Sequence, residues 1–130
     1  MLGAYQVRAA QSEADFAAVM ALRRARFGVG ADAYDAQSQQ VMILAQDKLL
    51  ACYRLGAFAS GADLAGSYAA QFYDLSGLRS YARPALEMGR FCMAAGLQGE
   101  ADVLRLAFAS LAQRVDGQGA GLLFGCASFM

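Results

Sequence analysis

Apolar residues follow two different spacings along this chain, one typical of strands and one typical of helices. Five short apolar runs predict β-strands, at residues 5–9, 41–45, 49–55, 86–93 and 121–127. Two longer segments repeat apolar residues at helical spacing and predict α-helices, at about residues 12–27 and 102–115. The final strand–helix–strand order implies two parallel neighbouring strands with a right-handed crossover. The pattern therefore predicts an α/β (α+β) fold with a mixed five-stranded sheet, in a single domain of residues 1–130.

The sequence indicates where the first helix begins and ends and which face of each helix is buried. Ser12 followed by Asp15 is close to a capping box that begins the first helix, and Gly28 ends it. The predicted buried face of the first helix consists of Phe16, Val19, Met20 and Phe27. The predicted buried face of the second consists of Leu104, Ala107, Phe108, Leu111 and Val115. The polar segment 28–40 predicts a loop or a short irregular helix, and the glycine-rich segment 56–84 predicts an insertion with one or two short helices.

Four charged residues fall inside these apolar patterns and are the candidates for chemistry. The fourth predicted strand carries Glu87 and Arg90, Arg54 lies near the end of the third, and Arg23 lies within the apolar stripe of the first helix. A charge rarely stays in a core without a partner or a role. Arg23 has two interpretations, since it could extend from the edge of the core to solvent or reach inward to a carboxylate or ligand. Gly89 permits a β-bulge that would re-aim either Glu87 or Arg90.

Composition excludes several kinds of site. The chain contains no histidine, which removes Ser-His-Asp and Cys-His catalysis and most zinc sites. Its three cysteines, Cys52, Cys92 and Cys126, lie far apart in apolar runs and are interpreted as reduced core residues of a cytoplasmic protein. Eleven acidic and eleven basic residues balance, so the basic footprint of a nucleic-acid-binding protein is absent. No apolar run approaches the roughly 20 residues of a membrane span, and no secretory signal is recognised.

Four motifs, in this order and at these spacings, resemble one enzyme family. They are Arg23-x-x-x-Phe27, Tyr53-Arg54-Leu55, Leu86-Glu87-Met88-Gly89-Arg90-x-Cys92 and Leu123-Phe124-Gly125-Cys126-Ala127-Ser128-Phe129. Over roughly residues 5–129 the chain resembles the ornithine N-acyltransferases that make the lyso precursor of ornithine lipids. These belong to the GNAT superfamily and are related to the acyl-homoserine-lactone synthases. The string from Phe124 to Phe129 favours the ornithine branch, whereas the arginine and Glu-x-x-Arg framework alone also fits the lactone synthases.

The resemblance implies a GNAT-like, mostly antiparallel sheet and a specific reaction. A (3-hydroxy)acyl group would pass from acyl carrier protein to the α-amine of ornithine. The co-substrate would be the acyl-phosphopantetheine of the carrier protein, or acyl-CoA, with no metal and no permanently bound cofactor. Glu87 is the candidate general base, acting directly or through a water molecule, and Arg90 is the second candidate catalytic residue. The alternative for Glu87 is a structural ion pair with Arg23, Arg54 or Arg90.

The remaining candidate residues divide between scaffold and donor. Four are assigned to substrate binding or to scaffolding around an acidic loop, with scaffolding favoured for the arginines: Arg23, Phe27, Asp35 and Arg54. Three are assigned to the donor: Met93, Gln98 and Gly99. Met93 or a neighbour would donate a strand amide to the thioester oxygen. Gln98 and Gly99 occupy the position of the family's phosphate loop.

The chain also departs from the family pattern. An Asp-His pair that the family carries after the acidic loop is replaced by Gln39-Gln40. The Arg-Ser-Gly phosphate loop reads Gln98-Gly99-Glu100, and an acid there would repel a phosphate at a helix N-terminus. The segments that complete a GNAT sheet are expected beyond Met130. These departures favour an alternative, a truncated and catalytically inactive GNAT-like protein that acts as an oligomeric or accessory module.

Partners follow from both interpretations. The enzyme would bind acyl carrier protein and an amino-acid acceptor, for which ornithine is expected. Its apolar acyl substrate is compatible with a peripheral contact with the membrane. An exposed edge at the last strand predicts a homodimer. An acetyl-CoA-dependent N-acyltransferase is a further alternative, which the altered phosphate loop disfavours.

Overall fold

A computed structural model describes residues 5–96 and 101–126 of the chain. Within these residues five strands form one sheet: β1 (Tyr5–Ala9), β2 (Ser38–Ala45), β3 (Lys48–Phe58), β4 (Ala85–Met93) and β5 (Leu122–Phe124). Two α-helices are α1 (Glu13–Phe27) and α2 (Ala101–Gly117). Short 3-10 helices lie at Asp35–Gln37, Gly61–Gly66, Ala69–Gln71 and Ser76–Leu78. None of the described helices is long and apolar enough to span a bilayer.

The strands follow one another across the sheet in chain order. Neighbours are antiparallel from β1 to β4, and β5 joins β4 in parallel. This confirms the predicted mixed, mostly antiparallel five-stranded sheet and the parallel final pair. The strand β5 is shorter than the predicted 121–127 run, and Ala127 lies outside the described residues.

The parallel pairing of β4 and β5 is brief. Only Ala85–Glu87 of β4 pairs with Leu122–Phe124 of β5. From Met88 onward the outer edge of β4 has no strand partner among the described residues. The backbone N–H and C=O groups along that edge are therefore not paired with any strand that the structure describes.

A β-bulge interrupts β4 between Gly89 and Cys92. Cys52 lies opposite Cys92, and Arg54 lies opposite Gly89. The chain therefore advances three residues along β4 where it advances two along β3, so β4 contains one extra residue. The predicted bulge is confirmed. However, the left-handed backbone belongs to Arg90, whose φ is 52°, and not to the glycine. A Cβ at Gly89 would lie 3.4 Å from Arg54 Nε, close to an ordinary van der Waals contact.

The sheet is covered on both faces. Val19 of α1 packs with Met42, Leu44, Cys52 and Cys92 on one face. On the other face α2 packs through three of its buried residues, Val103, Ala107 and Leu111. Alternate residues of each strand point to opposite faces, so the continuous apolar runs of β2 and β3 supply both cores.

The predicted helix faces are partly wrong. Phe16 and Phe27 on α1, and Leu104 and Phe108 on α2, are exposed. The buried line of α1 runs through Val19 and Arg23 instead. Periodicity places apolar residues along one stripe but does not say how much of that stripe the sheet covers. Phe27, Leu104 and Phe108 line open cavities beside β4 rather than the core.

The capping box predicted at Ser12 is confirmed, because Asp15 N donates to Ser12 Oγ (3.1 Å) and Ser12 N donates to Asp15 Oδ2 (3.3 Å). Replacing Ser12 with Ala should lower the free energy of unfolding by about 1 kcal/mol, measured by urea denaturation. Ser60 begins a 3-10 helix without a side-chain capping bond, so Ser60→Ala is the matched control and should cost less than about 0.5 kcal/mol. Equal losses in both variants would contradict the assignment.

Candidate active site

A buried ion pair joins α1 to the loop before β2. Arg23 is fully buried, and its guanidinium donates to both carboxylate oxygens of Asp35, Nη1 to Oδ1 (2.6 Å) and Nη2 to Oδ2 (3.1 Å). Of the two interpretations of Arg23, the inward one is therefore right. The two-point geometry pairs both terminal nitrogens of the guanidinium with the carboxylate, which supplies the counter-charge that its burial requires.

A second carboxylate, Asp32, connects two further arginines. Arg54 Nη1 donates to Asp32 Oδ1 (2.5 Å) and lies 3.3 Å from Asp35 Oδ1. Arg90 Nη2 donates to Asp32 Oδ2 (3.0 Å). We call these five residues, Arg23, Asp32, Asp35, Arg54 and Arg90, the charge cluster. Its three arginines and two aspartates leave one net positive charge.

Asp32 was not recognised as a site residue in the sequence. A signal existed, since Asp32-x-x-Asp35 is a spacing that brings two carboxylates together across one turn. In the structure Asp32 N donates to Asp35 Oδ2 (2.7 Å), and the two side chains share Arg54. The polar composition of residues 28–40 concealed this, because loop aspartates are usually solvated.

The arginines hold both carboxylates in their charged form. Burial disfavours ionisation of Asp32, but hydrogen bonds from Arg54 and Arg90 outweigh it and lower the pKa of Asp32 from 3.8 to about 2. Burial also acts on Asp35, and the hydrogen bond from Arg23 overrides it, so the pKa of Asp35 is lowered as well. Both carboxylates of the charge cluster are thus ionised at neutral pH.

Gln39 and Gln40 each make a side-chain hydrogen bond to another element of the structure. Gln40 is buried, and its Nε2 donates to Asp35 Oδ1 (2.9 Å). Gln39 accepts a hydrogen bond from Arg114 Nη1 (2.6 Å), which links β2 to α2. Gln40 therefore adds a neutral hydrogen-bond donor to the charge cluster.

Tyr68 is a second residue that sequence reasoning missed. The guanidinium carbons of Arg54 and Arg90 lie 5.3 and 5.2 Å from the centre of its ring. Tyr34 packs edge-on against the same ring, at 5.5 Å between centroids. Cations over a tyrosine face are attracted by its negative quadrupole, so Tyr68 orients both guanidinium groups. It lies in the insertion, whose path the sequence did not predict.

Glu87 is held by backbone rather than by arginine. Its Oε1 accepts from Tyr68 N (3.0 Å) and its Oε2 from Ala69 N (2.8 Å), at the start of a 3-10 helix. Within the described residues no arginine lies in ion-pair distance of Glu87, so the alternative of a structural pair is wrong. The insertion supplies the donors, which strand periodicity could not reveal.

Several of these residues line one cavity of about 380 Å³, a volume typical of small-molecule sites. One part of the wall is polar and is formed by Ser38, Arg54, Tyr68, Glu87 and Arg90. The other part is apolar and includes Phe27, Met88, Phe91 and Phe108. The rings of Phe91 and Phe108 stack at 6.5 Å between centroids. The cavity can therefore hold a molecule with a reactive polar end and an oily tail.

A second, more open cavity of about 300 Å³ adjoins the first along β4. The two share Phe27 and Phe91, and the second is also lined by Arg26, Cys92, Met93 and Leu104. Met93, predicted to contact the donor, lies here. Gln98 and Gly99, the other predicted donor residues, lie outside the described residues. No group of His, Cys, Asp or Glu in the described part of the chain could hold a metal ion.

Cys126 departs from the prediction that all three cysteines lie in the core. It is exposed and lines the first cavity just beyond β5, whereas Cys52 and Cys92 are buried. Burial, followed by the charge of Glu87, raises the pKa of the Cys126 thiol. A neutral thiol is a poor nucleophile, so this residue is not assigned to the chemistry.

Comparison with known proteins places this arrangement in a family. A family model described as an acetyltransferase (GNAT) domain matches residues 12–107. No curated protein sequence matches the chain.

Several solved structures share the fold. A GNAT family acetyltransferase from Staphylococcus aureus subsp. aureus USA300_TCH1516 is 9% identical, with a TM-score of 0.65 over 97% of this chain and 88% of that one. The ribosomal-protein-alanine N-acetyltransferase from Brucella melitensis biovar Abortus 2308 is 10% identical, with a TM-score of 0.66 over 96% and 81%. The AHL synthase LasI is 17% identical, with a TM-score of 0.66 over 92% and 71%. At these identities the likeness concerns the fold alone.

Removing the charge of Asp35 should destabilise the protein strongly. In Asp35→Asn the guanidinium of Arg23 stays buried without a counter-charge, so the free energy of unfolding should fall by about 3 kcal/mol in urea denaturation. The control is Arg105→Gln, which breaks a surface pair whose arginine is 74% exposed and should cost less than about 0.5 kcal/mol. A small loss in Asp35→Asn would contradict the dependence of the fold on this pair.

Asp32 should make stability depend on pH in the acid range. Its pKa is lower in the folded protein than its ordinary 3.8, so its contribution is complete above about pH 4 and is lost as pH falls toward 2. Above pH 4, Asp32→Asn should be less stable than the parent by about 1 kcal/mol, a figure reduced for solvent screening. The gap should close between pH 4 and 2 in urea titrations. A constant gap across that range would contradict the assignment.

Proposed function

The chain belongs to the GNAT acetyltransferase-domain family, and we propose that it transfers an acyl group from a thioester to an amine. The proposed donor is a (3-hydroxy)acyl carrier protein and the proposed acceptor is the α-amine of ornithine. One observation carries the proposal. Glu87 is fixed by two backbone N–H groups beside the charge cluster, on the wall of a cavity that is polar at one part and apolar at another.

Glu87 is suited to take a proton from the acceptor ammonium. Each of its oxygens accepts one N–H bond, and a carboxylate oxygen has a further lone pair for a substrate proton or a bridging water. The two bonds fix the carboxylate in one orientation before the substrate arrives. General-base catalysis needs this positioning within hydrogen-bond distance of the proton.

The unpaired edge of β4 is suited to polarise the thioester. A backbone N–H there could donate to the carbonyl oxygen as negative charge develops, which lowers the barrier by about 3 kcal/mol. Met93 is six residues from Glu87, a separation of roughly 20 Å along a strand. An amide nearer the bulge is therefore a better candidate than that of Met93 to act on the same carbon as Glu87.

The two parts of the cavity wall fit the two substrates. Phe27, Phe91 and Phe108 would contact the acyl chain. The excess positive charge of the charge cluster would attract the carboxylate of an amino-acid acceptor to Arg54 or Arg90, which both line the cavity. Arg23 does not line it, so its proposed role is scaffolding.

A second function belongs to a different class. A catalytically inactive GNAT-like protein could serve as an oligomeric or accessory module, and the sequence Gln98-Gly99-Glu100 in place of the phosphate loop favours it. Acetyl-CoA-dependent transfer is a further candidate within the enzyme class. A homodimer, a cytoplasmic location and a peripheral membrane contact remain predictions from the sequence.

Transfer of a labelled acyl group tests the proposal. Purified parent should acylate ornithine from 3-hydroxyacyl carrier protein, and Glu87→Gln should be slower by about 100-fold or more because it removes the base. Glu13→Gln, an exposed carboxylate on α1, is the matched control and should match the parent. Parallel reactions use acetyl-CoA and 3-hydroxyacyl-CoA.

Each result has a separate meaning. No transfer from any donor would support the inactive module, and transfer from acetyl-CoA alone would replace the proposed donor. Equal rates for the parent and Glu87→Gln would remove Glu87 from the role of base.

A further inference from the structure

The structure assigns a thiol–disulfide exchange site to Cys92 and Cys52, in which Cys92 reacts first with a small disulfide and Cys52 then closes an internal disulfide. This site is separate from the proposed acyl transfer, which uses neither thiol. It rests on three observations: the facing positions of the two cysteines, their unequal access to solvent, and the cavity beside one of them.

The two thiols already face each other across the sheet. Cys52 on β3 and Cys92 on β4 are direct partners in the antiparallel register, and their sulfur atoms are 3.7 Å apart. Directly opposite residues of such a pair have Cα atoms about 4.5–5.5 Å apart, which lies inside the range that disulfides span. A bond of about 2.05 Å therefore requires the sulfurs to approach but no change of register.

Only one of the two can be reached from outside. Cys92 is 6% exposed and lines the open cavity of about 300 Å³, together with Arg26 and Met93. Cys52 is 0% exposed and packs behind it against Val19. A reagent in the cavity must therefore meet Cys92 first, and Cys52 can react only through the sulfur of Cys92.

The electrostatic surroundings favour the same order. The hydrogen bond with Cys52 outweighs the effect of burial and lowers the pKa of Cys92, and the charges of Arg23 and Arg26 act in the same direction. The same hydrogen bond, together with burial, raises the pKa of Cys52. Thiolate is the reactive form of cysteine, so the cavity-facing thiol is also the better nucleophile.

The exchange consists of two successive reactions. The Cys92 thiolate attacks one sulfur of a low-molecular-weight disulfide, forms a mixed disulfide and releases one thiolate, which takes up a proton. Cys52 then loses its proton, attacks the Cys92 sulfur and displaces the second small thiol. In total, two protein thiols and one small disulfide become one protein disulfide and two small thiols.

The new bond would act close to the candidate active site. Cys92 lies two residues beyond Arg90, and the Cys52–Cys92 pair borders the bulge. Joining β3 to β4 there would fix the register of the strand that carries Glu87 and Arg90. The oxidised protein should therefore unfold at a higher temperature than the reduced protein, because the cross-link restrains the unfolded chain.

The experiment treats the full chain, carrying Cys126→Ser, with oxidised glutathione. Intact-mass spectrometry should show a loss of about 2 Da, restored by dithiothreitol, and peptide mapping should join Cys52 to Cys92. In Cys52→Ser the reaction should stop at a glutathione adduct on Cys92. In Cys92→Ser, Cys52 should remain unmodified over the same time.

Either of two results would overturn the assignment. The first is that Cys52 and Cys92 both remain free thiols in the Cys126→Ser parent after prolonged exposure to oxidised glutathione. The second is that Cys52 in Cys92→Ser is modified at the parent's rate. The parent carries both native cysteines, so peptide mapping decides the question even if a serine variant fails to fold. All readouts are independent of acyl transfer.

Discussion

The two-point ion pair between Arg23 and Asp35 is the interaction on which the rest of the structure depends. A fully buried guanidinium is tolerable only with a counter-charge, and the loss of that partner costs several kcal/mol. The same carboxylate also accepts from Gln40 and lies near Arg54. One side chain therefore fixes α1, the acidic loop and the sheet relative to one another. The orientation of the arginines on the cavity wall follows from that arrangement.

The second constraint is the geometry of β4. Its pairing with β5 ends at Glu87, and the bulge that follows turns Arg90 toward Asp32. A regular strand would send Glu87 and Arg90 to opposite faces. The left-handed backbone at Arg90 costs energy in a non-glycine residue, and the side chain of that residue is paired with Asp32. The charged wall thus depends on this local irregularity.

Much of this could be predicted from the chain because it depends on local chemistry. Short apolar runs predicted the strands, Ser12 and Asp15 predicted the start of α1, and Gly89 permitted a bulge. The charged residues in apolar segments pointed to the candidate site, since burial of a charge is costly without a partner. The helix faces were predicted less well, because Phe27 and Phe108 line a cavity beside β4 that periodicity along a helix does not reveal.

The sequence by itself determined the order of the elements, the mixed sheet, and which charges lie among apolar neighbours. Only the tertiary structure decided their partners. Asp32 and Tyr68 come from a loop and an insertion without periodicity, and they meet Arg54 and Arg90 through contacts distant in the chain. Glu87 is held by backbone N–H groups, which every residue but proline possesses and which no sequence pattern distinguishes. Such contacts are set by the path of the folded chain and not by residue type.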